Sequence, residues 1–177
     1  MIIGICGYKG AGKDSMGQIL TNSFGWDRMS FAEPIKELVH NTFGIDKAIL
    51  SGNEGEREFR ELPLPDWFNY SPRQLLQIIG TGFRDSLHPD IWVKILENKV
   101  KKHNNHVVVT DVRFPNEVEM INNNGFCVVV KRPGYDGDEH KSEHALDDHA
   151  FKHVFDNDGS EEALQAKFYN FLKDRIV

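Results

Sequence analysis

The sequence is poor in cysteine, with only Cys6 and Cys127 among its 177 residues. Two cysteines are too few for a disulfide framework, and because both lie in apolar runs we expect buried thiols in a reducing compartment. No apolar run is long enough to span a bilayer, and the first residues lack the cationic start of a signal peptide. We therefore expect a cytoplasmic protein with no membrane partner.

Positive charge is also scarce, because 21 Lys and Arg residues face 27 Asp and Glu residues and give a formal net charge of −6. This balance argues against unspecific binding to a nucleic-acid polymer, but it permits a local basic cleft for phosphate groups. Hydrophobic residues make up 40% and charged residues 27% of the chain, as in ordinary globular proteins. At this length we expect a single domain over residues 1–177 with small insertions.

Strand-like and helix-like patterns alternate along the chain. Short apolar runs predict five strands, at 2–6, 28–31, 107–109, 126–130 and 154–155. Amphipathic spacing and capping residues predict helices at 13–23, 34–43, 72–80, 89–102, 116–123 (closed by Asn124 and Gly125) and from 160 onward. This alternation predicts an α/β fold with a mainly parallel sheet.

Two segments fall outside this alternation. Residues 46–71 are charged, contain two prolines and show little periodicity, so we expect a mobile, partly helical excursion on the substrate side. Residues 132–149 form a lid-like loop in which six acidic residues outnumber Lys141, so most of it should face water or metal. The acids are Asp136, Asp138, Glu139, Glu143, Asp147 and Asp148.

Four histidines lie in or near this loop, in two pairs spaced four residues apart, at His140, His144, His149 and His153. This spacing places two ligands on one helical face and therefore suggests a metal site. Because no cysteine accompanies them, a solvated helix capped by Ser142 is the preferred interpretation.

A glycine-rich segment, Gly7-Tyr8-Lys9-Gly10-Ala11-Gly12-Lys13, follows the first predicted strand and matches the core of a phosphate-binding loop. Glycines let the backbone wrap phosphates, and the N-terminus of the next helix adds positive potential. Lys13 would then reach the terminal phosphates. The structural alternative is a glycine turn with a solvated lysine.

The residue after Lys13 is Asp14, where Ser or Thr normally supplies a hydroxyl to Mg²⁺, and Ser15 follows one position later. Both side chains are hard oxygen donors of the type that Mg²⁺ prefers. The sequence leaves open which of them contacts the metal.

A carboxylate and a guanidinium follow the third predicted strand, at Asp111 and Arg113. In open α/β folds this edge of the sheet binds ligands, and in phosphoryl-transfer proteins an acidic group there faces the metal and the reacting phosphates. Taken without the glycine-rich loop, Asp111 is better explained as an N-cap of the next helix.

Across nearly its whole length the chain resembles the phage-type deoxynucleoside monophosphate kinases. The segments that carry the resemblance are Gly-Tyr-Lys-Gly-Ala-Gly-Lys-Asp at 7–14, Phe-Ala-Glu-Pro-Ile-Lys at 31–36, Arg-Gln-Leu-Leu-Gln-Ile-Ile-Gly-Thr at 73–81, Trp-Val-Lys at 92–94, Thr-Asp-Val-Arg-Phe-Pro-Asn-Glu at 110–117, Arg-Pro-Gly at 132–134 and Asn-Asp-Gly-Ser at 157–160. The family shares the Asp after the loop lysine. The resemblance implies a three-layer α/β/α P-loop fold with a mainly parallel five-stranded sheet, and transfer of the γ-phosphate of ATP, with Mg²⁺, to a deoxynucleoside 5′-monophosphate.

The resemblance also implies site residues. ATP and Mg²⁺ would lie on Gly10, Ala11, Gly12, Lys13, Asp14 and Ser15, with Arg132 as a phosphate clamp. The monophosphate would lie on Lys36, Arg73, Gly80, Thr81, Trp92, Asp111, Arg113 and Glu117. Lys13, Asp111 and Arg113 would act in catalysis, and the two arginines would grip the acceptor phosphate through forked hydrogen bonds. Trp92 could equally be a core residue, and Arg73 could be merely solvated.

Two kinds of alternative function remain open at this point. One is a kinase of another small phosphoacceptor, such as a ribonucleoside monophosphate or dephospho-coenzyme A. The other is a nucleotide-binding module without an acceptor. If the chain is phage-encoded, the expected location is the host cytoplasm, and a homodimer is compatible with the sequence.

Overall fold

Five strands form one sheet in which every neighbouring pair runs parallel. In the computed structural model, which describes residues 1–52, 55–137 and 140–176, the strands are β1 (Ile2–Cys6), β2 (Asp27–Met29), β3 (Val107–Val109), β4 (Gly125–Lys131) and β5 (Val154–Asp156). Their order across the sheet is β2-β3-β1-β4-β5. The predicted parallel α/β sheet is therefore confirmed.

The helices are α1 (Lys13–Phe24), α2 (Glu33–Phe43), α3 (Lys47–Ser51), α4 (Pro72–Ser86), α5 (Ile91–Lys101), α6 (Pro115–Asn122), α7 (Lys141–His144) and α8 (Glu161–Ile176), with a 3₁₀ turn at Pro65–Trp67. The predicted start of α4 is confirmed. The helix begins at Pro72, and its N-cap Ser71 forms a capping box with Gln74. Its predicted end at Gly80 is wrong, since the helix continues to Ser86. Gly125 is also not a helix cap, because it is the first residue of β4.

The sheet is covered on both faces because its strands are apolar on both sides, as expected for a buried parallel sheet. Ile3 and Ile5 of β1 belong to a core cluster that includes side chains of α1 and α8. On the opposite face α6 packs against Gly4, where a Cβ would lie only 2.8 Å from Cδ1 of Ile121. The close approach explains the glycine, and the arrangement is a three-layer α/β/α sandwich.

The chain divides into two compact units. Met1–Ser30 with Leu96–Val177 contains the sheet, and Phe31–Ile95 forms the second unit. The second unit has its own apolar cluster, formed by Val39, Ile45, Leu50 and Leu75. The 46–71 excursion lies in this unit and is partly helical, as expected, through α3 and the 3₁₀ turn. Asn53 and Glu54 lie outside the described residues, and the mobility of the excursion stays a prediction.

Both cysteines are buried and free, as expected, with Cys6 on β1 and Cys127 on β4. A hydrogen bond with Cys127 and burial both raise the pKa of the Cys6 thiol above its ordinary range. Over the ranges 1–52, 55–137 and 140–176, the longest helices are too short or too polar to cross a bilayer.

Candidate active site

The glycine-rich loop joins β1 to α1, and its backbone conformation requires glycine. Gly10 and Gly12 have φ angles of 82° and 112°, in the region that other residues rarely adopt. A Cβ at Gly10 would lie 2.6 Å from Cε1 of Tyr135, and a Cβ at Gly12 would lie 2.9 Å from Nδ2 of Asn157. Both conformation and space therefore exclude a side chain at these positions.

Asn157, directly after β5, anchors this loop. Its Nδ2 donates to the carbonyl oxygen of Ala11 at 2.9 Å, and the residue is buried. In the sequence, Asn157 stands out only as part of the family segment at 157–160. Because this side chain holds the loop backbone, it is a positioning residue of the phosphate loop.

Lys13 at the start of α1 is folded back onto its own loop. Its Nζ donates to the carbonyl oxygens of Gly7 and Tyr8, at 2.7 and 2.8 Å. Burial, and then the positive charge of Arg113, lower the pKa of Lys13 to about 8, against the opposing effect of Asp14. The ammonium is therefore both enclosed and sensitive to pH near neutrality.

Asp14 pairs with an arginine that sequence reasoning missed. The Arg28 guanidinium, on β2, donates to Oδ1 of Asp14 and to the Thr110 hydroxyl. Arg28 precedes Asp111 by more than 80 residues and belongs to none of the family segments, so only the parallel pairing of β2 with β3 brings it here. The Asp14 side chain is 71% exposed, so its carboxylate remains accessible.

The oxygen donors here fit a magnesium ion. Three hard ligands are available, namely the Asp14 carboxylate, the hydroxyl of the following residue Ser15 and the Thr110 hydroxyl. The Thr110 hydroxyl lies 3.5 Å from Oδ1 of Asp14. In the described part of the chain no group of three or more His, Cys, Asp or Glu side chains could hold a metal by itself. One carboxylate completed by phosphate oxygens is the usual arrangement for Mg²⁺ bound with a nucleotide.

Asp111 and Arg113 follow β3, as the sequence predicts, and each has a polar partner in the sheet unit. The Ser30 hydroxyl donates to Oδ2 of Asp111 at 2.7 Å. The Arg113 guanidinium donates to Oε1 of Glu143, from the beginning of the 140–149 segment. Because the charges of Asp14, Asp111 and Arg113 all act on Lys13, the structure brings these four predicted residues together.

The lid-like loop contacts the phosphate loop through residues on both sides of the undescribed Asp138 and Glu139. Arg132, the predicted clamp, donates to the Gly10 carbonyl oxygen at 3.2 Å and lies over the Tyr135 ring. The Tyr8 hydroxyl donates to Oδ1 of Asp147 at 2.6 Å. This loop is thus placed where the resemblance implies contact with ATP phosphates.

Of the described acids in this loop, Asp136, Asp147 and Asp148 are exposed, as expected for most of them, but Glu143 is buried. Its side chain is 2% exposed, and it binds Arg113 and the backbone amide of Lys9. The physical reason is that the half-exposed Arg113 guanidinium and the Lys9 amide both donate to this carboxylate, which the local sequence alone would leave in water.

The four histidines do not share one helical face. Helix α7 is only four residues long, and its N-cap is His140, whose Nδ1 accepts from the Ser142 amide, so the predicted Ser142 cap is wrong. His144 pairs with Asp147, at 2.9 Å between Nδ1 and Oδ2. His149 and His153 contact aromatic rings instead.

The predicted acceptor cations of the second unit each have an acidic partner there. Arg73 of α4 donates from Nη1 to Oε1 of Glu61 at 3.0 Å, so it is paired in addition to any solvation. Nζ of Lys36, in α2, lies 3.9 Å from Oε2 of Glu33 and 3.4 Å from the Ser51 hydroxyl.

Trp92 is packed in the interior of the second unit, with 2% exposure. Its Nε1 donates to the carbonyl oxygen of Gly80 at 2.8 Å, and its ring stacks on Phe83 at 5.4 Å with a 7° interplanar angle. Of the two alternatives in the sequence, this packing is that of a core residue. Thr81, which follows Gly80 on α4, is half-buried.

Glu117 is likewise buried, and its carboxylate accepts hydrogen bonds from backbone amides. Oε2 accepts from the amides of Arg113 and Phe114, at 2.7 and 3.1 Å. These bonds fix the turn between β3 and α6 and therefore the backbone position from which the Arg113 side chain extends. In this structure Glu117 positions Arg113 at the predicted acceptor site.

Comparisons with known proteins agree with this geometry. A family model described as deoxynucleotide monophosphate kinase matches residues 51–168. An Acanthamoeba polyphaga mimivirus protein, provisionally named deoxynucleotide monophosphate kinase, is 32% identical over 158 residues, which are 81% of this chain and 80% of that protein. The deoxynucleoside-5′-monophosphate kinase of Escherichia phage T5 is 49% identical over 53 residues, 29% of this chain and 21% of that protein.

Among solved structures, shikimate kinase from Aquifex aeolicus superposes with a TM-score of 0.51 at 12% identity, covering 98% of this chain and 97% of that one. At this identity the likeness shows the P-loop kinase fold alone. The family model covers well over half of the chain, and the mimivirus relative covers four fifths of it. The chain therefore belongs to the deoxynucleotide monophosphate kinase family, and it is a phosphotransferase.

Proposed function

We propose that this protein transfers the γ-phosphate of ATP to a deoxynucleoside 5′-monophosphate, with Lys13, Asp111 and Arg113 at the reacting phosphates. The observation that carries the proposal is the placement of Lys13, Asp14, Asp111 and Arg113 at the glycine-rich loop. Lys13 donates to two of its carbonyl oxygens, and Asp14 lies 3.5 Å from the hydroxyl of Thr110, the residue before Asp111. Arg113 shares the Glu143 carboxylate with the Lys9 amide. The four side chains come from α1 and from the segment after β3, so a parallel sheet is needed to assemble them.

Phosphoryl transfer between two anions depends mainly on positioning and charge neutralisation. The acceptor oxygen of a monophosphate is already an anion, so Asp111 need not act as a general base. Held by the Ser30 hydroxyl, Asp111 is better suited to orient a ligand or the metal. Arg113 would grip the acceptor phosphate, and Arg132 the phosphates of ATP.

Magnesium is part of the proposal because the oxygen donors at Asp14 and Ser15 suit it. When bound, the ion would neutralise charge on the β- and γ-phosphate oxygens. Asp14 would bind it either directly or through water, and Arg28 would then share the carboxylate with the metal or give it up.

The acceptor roles of Lys36, Arg73, Gly80, Thr81, Trp92 and Glu117 stay predictions from the family resemblance. The cationic residues have the chemistry for phosphate. Trp92 and Glu117 are buried in this structure, so we propose that they act by holding Gly80 and Arg113 in place. A homodimer and a cytoplasmic location also stay predictions.

The test is a panel of acceptors assayed for ADP release, with the four common deoxynucleoside monophosphates, their ribonucleoside counterparts and dephospho-coenzyme A. We expect deoxynucleotides to be phosphorylated. Activity on ribonucleotides alone, or on dephospho-coenzyme A alone, would contradict the deoxynucleotide assignment. ATP binding without any acceptor would favour a nucleotide-binding module.

Variants distinguish the residues that serve ATP from those that serve the acceptor. Lys13→Ala should abolish turnover, whereas Lys173→Ala, which removes an exposed lysine of α8, should not change it. Arg113→Ala should leave ATP affinity in place and raise the KM of the acceptor. If Arg113→Ala changes neither kcat nor the acceptor KM, Arg113 is not an acceptor ligand.

A further inference from the structure

Glu143 is a buried carboxylate that is bound by groups of the active site itself. Its side chain is only 2% exposed, although the sequence around it is acidic and polar. Oε1 accepts from the Arg113 guanidinium, and Oε2 accepts from the backbone amide of Lys9 at 3.0 Å. One oxygen therefore binds an arginine and the other binds the glycine-rich loop.

These two donors are of the kind that phosphate groups use in P-loop kinases, namely a loop amide and a guanidinium. A carboxylate and a phosphate are both oxyanions, and they compete for the single N–H of the Lys9 amide and for the Nη1 group of Arg113 that donates to Glu143. We propose that Glu143 is an internal competitor for phosphate, which occupies these donors in the empty enzyme and leaves them when nucleotide binds. This inference rests on the proposed function, because it takes Arg113 as a phosphate ligand.

Neighbouring contacts hold Glu143 at this place without using the same donors. The Tyr8 hydroxyl donates to Asp147, four residues beyond Glu143, and the His144 ring lies 5.7 Å from the Tyr8 ring. On the other side Gly137 approaches so closely that a Cβ there would lie 3.2 Å from Cβ of Glu143. On this proposal only the carboxylate moves, while the contacts with Tyr8 keep its segment attached to the loop.

The competitor role has a consequence for affinity that a structural role does not have. If Glu143 only held Arg113 in position, its removal would weaken phosphate binding. If Glu143 competes, its removal makes the donors available, and phosphate ligands bind more tightly because no internal anion must be displaced. The sign of the change in Kd distinguishes the two roles.

The experiment compares Glu143→Gln with wild type by calorimetry, titrating MgATP and, separately, the deoxynucleoside monophosphate that the acceptor panel finds to be phosphorylated fastest. Glutamine keeps the size and an acceptor for the Lys9 amide but lacks the charge that holds Arg113. We expect Kd to fall about tenfold for at least one of the two ligands, which corresponds to about 1.4 kcal/mol. Asp148→Asn is the matched control, because it removes one negative charge from the same segment at an exposed position. It should change Kd less than twofold.

An unchanged or larger Kd in Glu143→Gln, with wild type active on deoxynucleotides, would overturn this inference and leave the proposed function intact. If wild type binds no nucleotide, both are overturned. Should Glu143→Gln fail to fold, NMR of the wild-type protein gives the answer. Saturating MgATP together with the acceptor should move the side-chain carboxyl ¹³C signal of Glu143 towards that of a solvated glutamate, because the carboxylate leaves the Arg113 guanidinium and the Lys9 amide. A signal that the ligands leave unchanged would contradict release.

Discussion

The lowered pKa of Lys13 predicts an alkaline limit on nucleotide use. Because burial and Arg113 lower this pKa to about 8, the free enzyme loses the ammonium at a pH where exposed lysines remain charged. At pH 9 a group with this pKa is about 9% protonated, whereas an ordinary lysine is still about 97% protonated. We expect kcat/KM for MgATP to fall about tenfold per pH unit above pH 8.

The parameters kcat and kcat/KM should depend differently on pH. Triphosphate bound at Lys13 favours the ammonium and raises its pKa, so kcat at saturating ATP should keep its value to higher pH than kcat/KM. Titration of the acceptor phosphate does not contribute to this alkaline fall in rate, because the second pKa of a phosphate monoester is near 6. Tyr8 does not obscure it either, because its hydrogen bond to Asp147 raises its pKa to about 12.

The assay is initial-rate ADP release between pH 7 and 10, with circular dichroism to confirm that the protein stays folded. Lys13→Arg provides the control, because its guanidinium does not titrate in this range and any residual activity should lack the alkaline limb. A flat profile of wild-type kcat/KM from pH 7.5 to 9.5 would refute the inference that Lys13 titrates near 8.

The same pKa also sets the sign of a stability effect. The folded-state pKa of Lys13 lies below its unfolded value of 10.5, so the penalty for burying the ammonium is fully present below about pH 8. As pH rises from 8 towards 10.5, the native state has lost the proton that the unfolded chain still holds. The free energy of unfolding of wild type, minus that of Lys13→Met, should therefore rise with pH over this window.

Three further predictions concern the groups that hold the site. Gly12→Ala should lower the free energy of unfolding by more than 2 kcal/mol and abolish ATP binding, because of its φ of 112° and the clash with Asn157; Gly25→Ala, also at positive φ but in open space, should cost about 1 kcal/mol by urea denaturation. Asn157→Ala should raise the KM for ATP about fivefold with the acceptor KM unchanged, through loss of one hydrogen bond to the loop. Trp92→Phe should lower the free energy of unfolding by about 1–2 kcal/mol, since the Gly80 carbonyl loses its donor.

Elements with local signals could be predicted from the sequence. The glycine-rich loop, the Ser71 cap and the valines of β3 are each specified by a few adjacent residues, and the structure has them where expected. The helical end at Gly80 was wrong because tertiary packing overrides a glycine's weak preference against helix. A Cβ at Gly80 would lie 3.3 Å from Cδ1 of Ile35, so a small residue serves the packing there.

The partners of the site residues could not be predicted in the same way. Arg28 reaches Asp14 because β2 pairs with β3, and Glu143 reaches Arg113 across 30 residues of chain. Neither contact leaves a periodic pattern or a short motif. Among the acids of this loop that the structure describes, nothing local distinguishes the buried Glu143 from its exposed neighbours, because the difference is a guanidinium supplied from elsewhere.

The charged groups at the glycine-rich loop are already paired before any ligand is considered. Lys13 donates to two loop carbonyls, Arg28 is paired with Asp14, and Arg113 is paired with Glu143. If the two proposals hold, nucleotide and metal binding would be an exchange, in which phosphate would take the donors from Glu143 and the Asp14 carboxylate would leave Arg28 to hold magnesium. An exchange gains only the difference between two ion pairs, so the site need not bind its substrates so tightly that product release becomes slow. Removing the internal partners should accordingly tighten binding at the risk of slower turnover, which is the opposite of what loss of a ligand residue does.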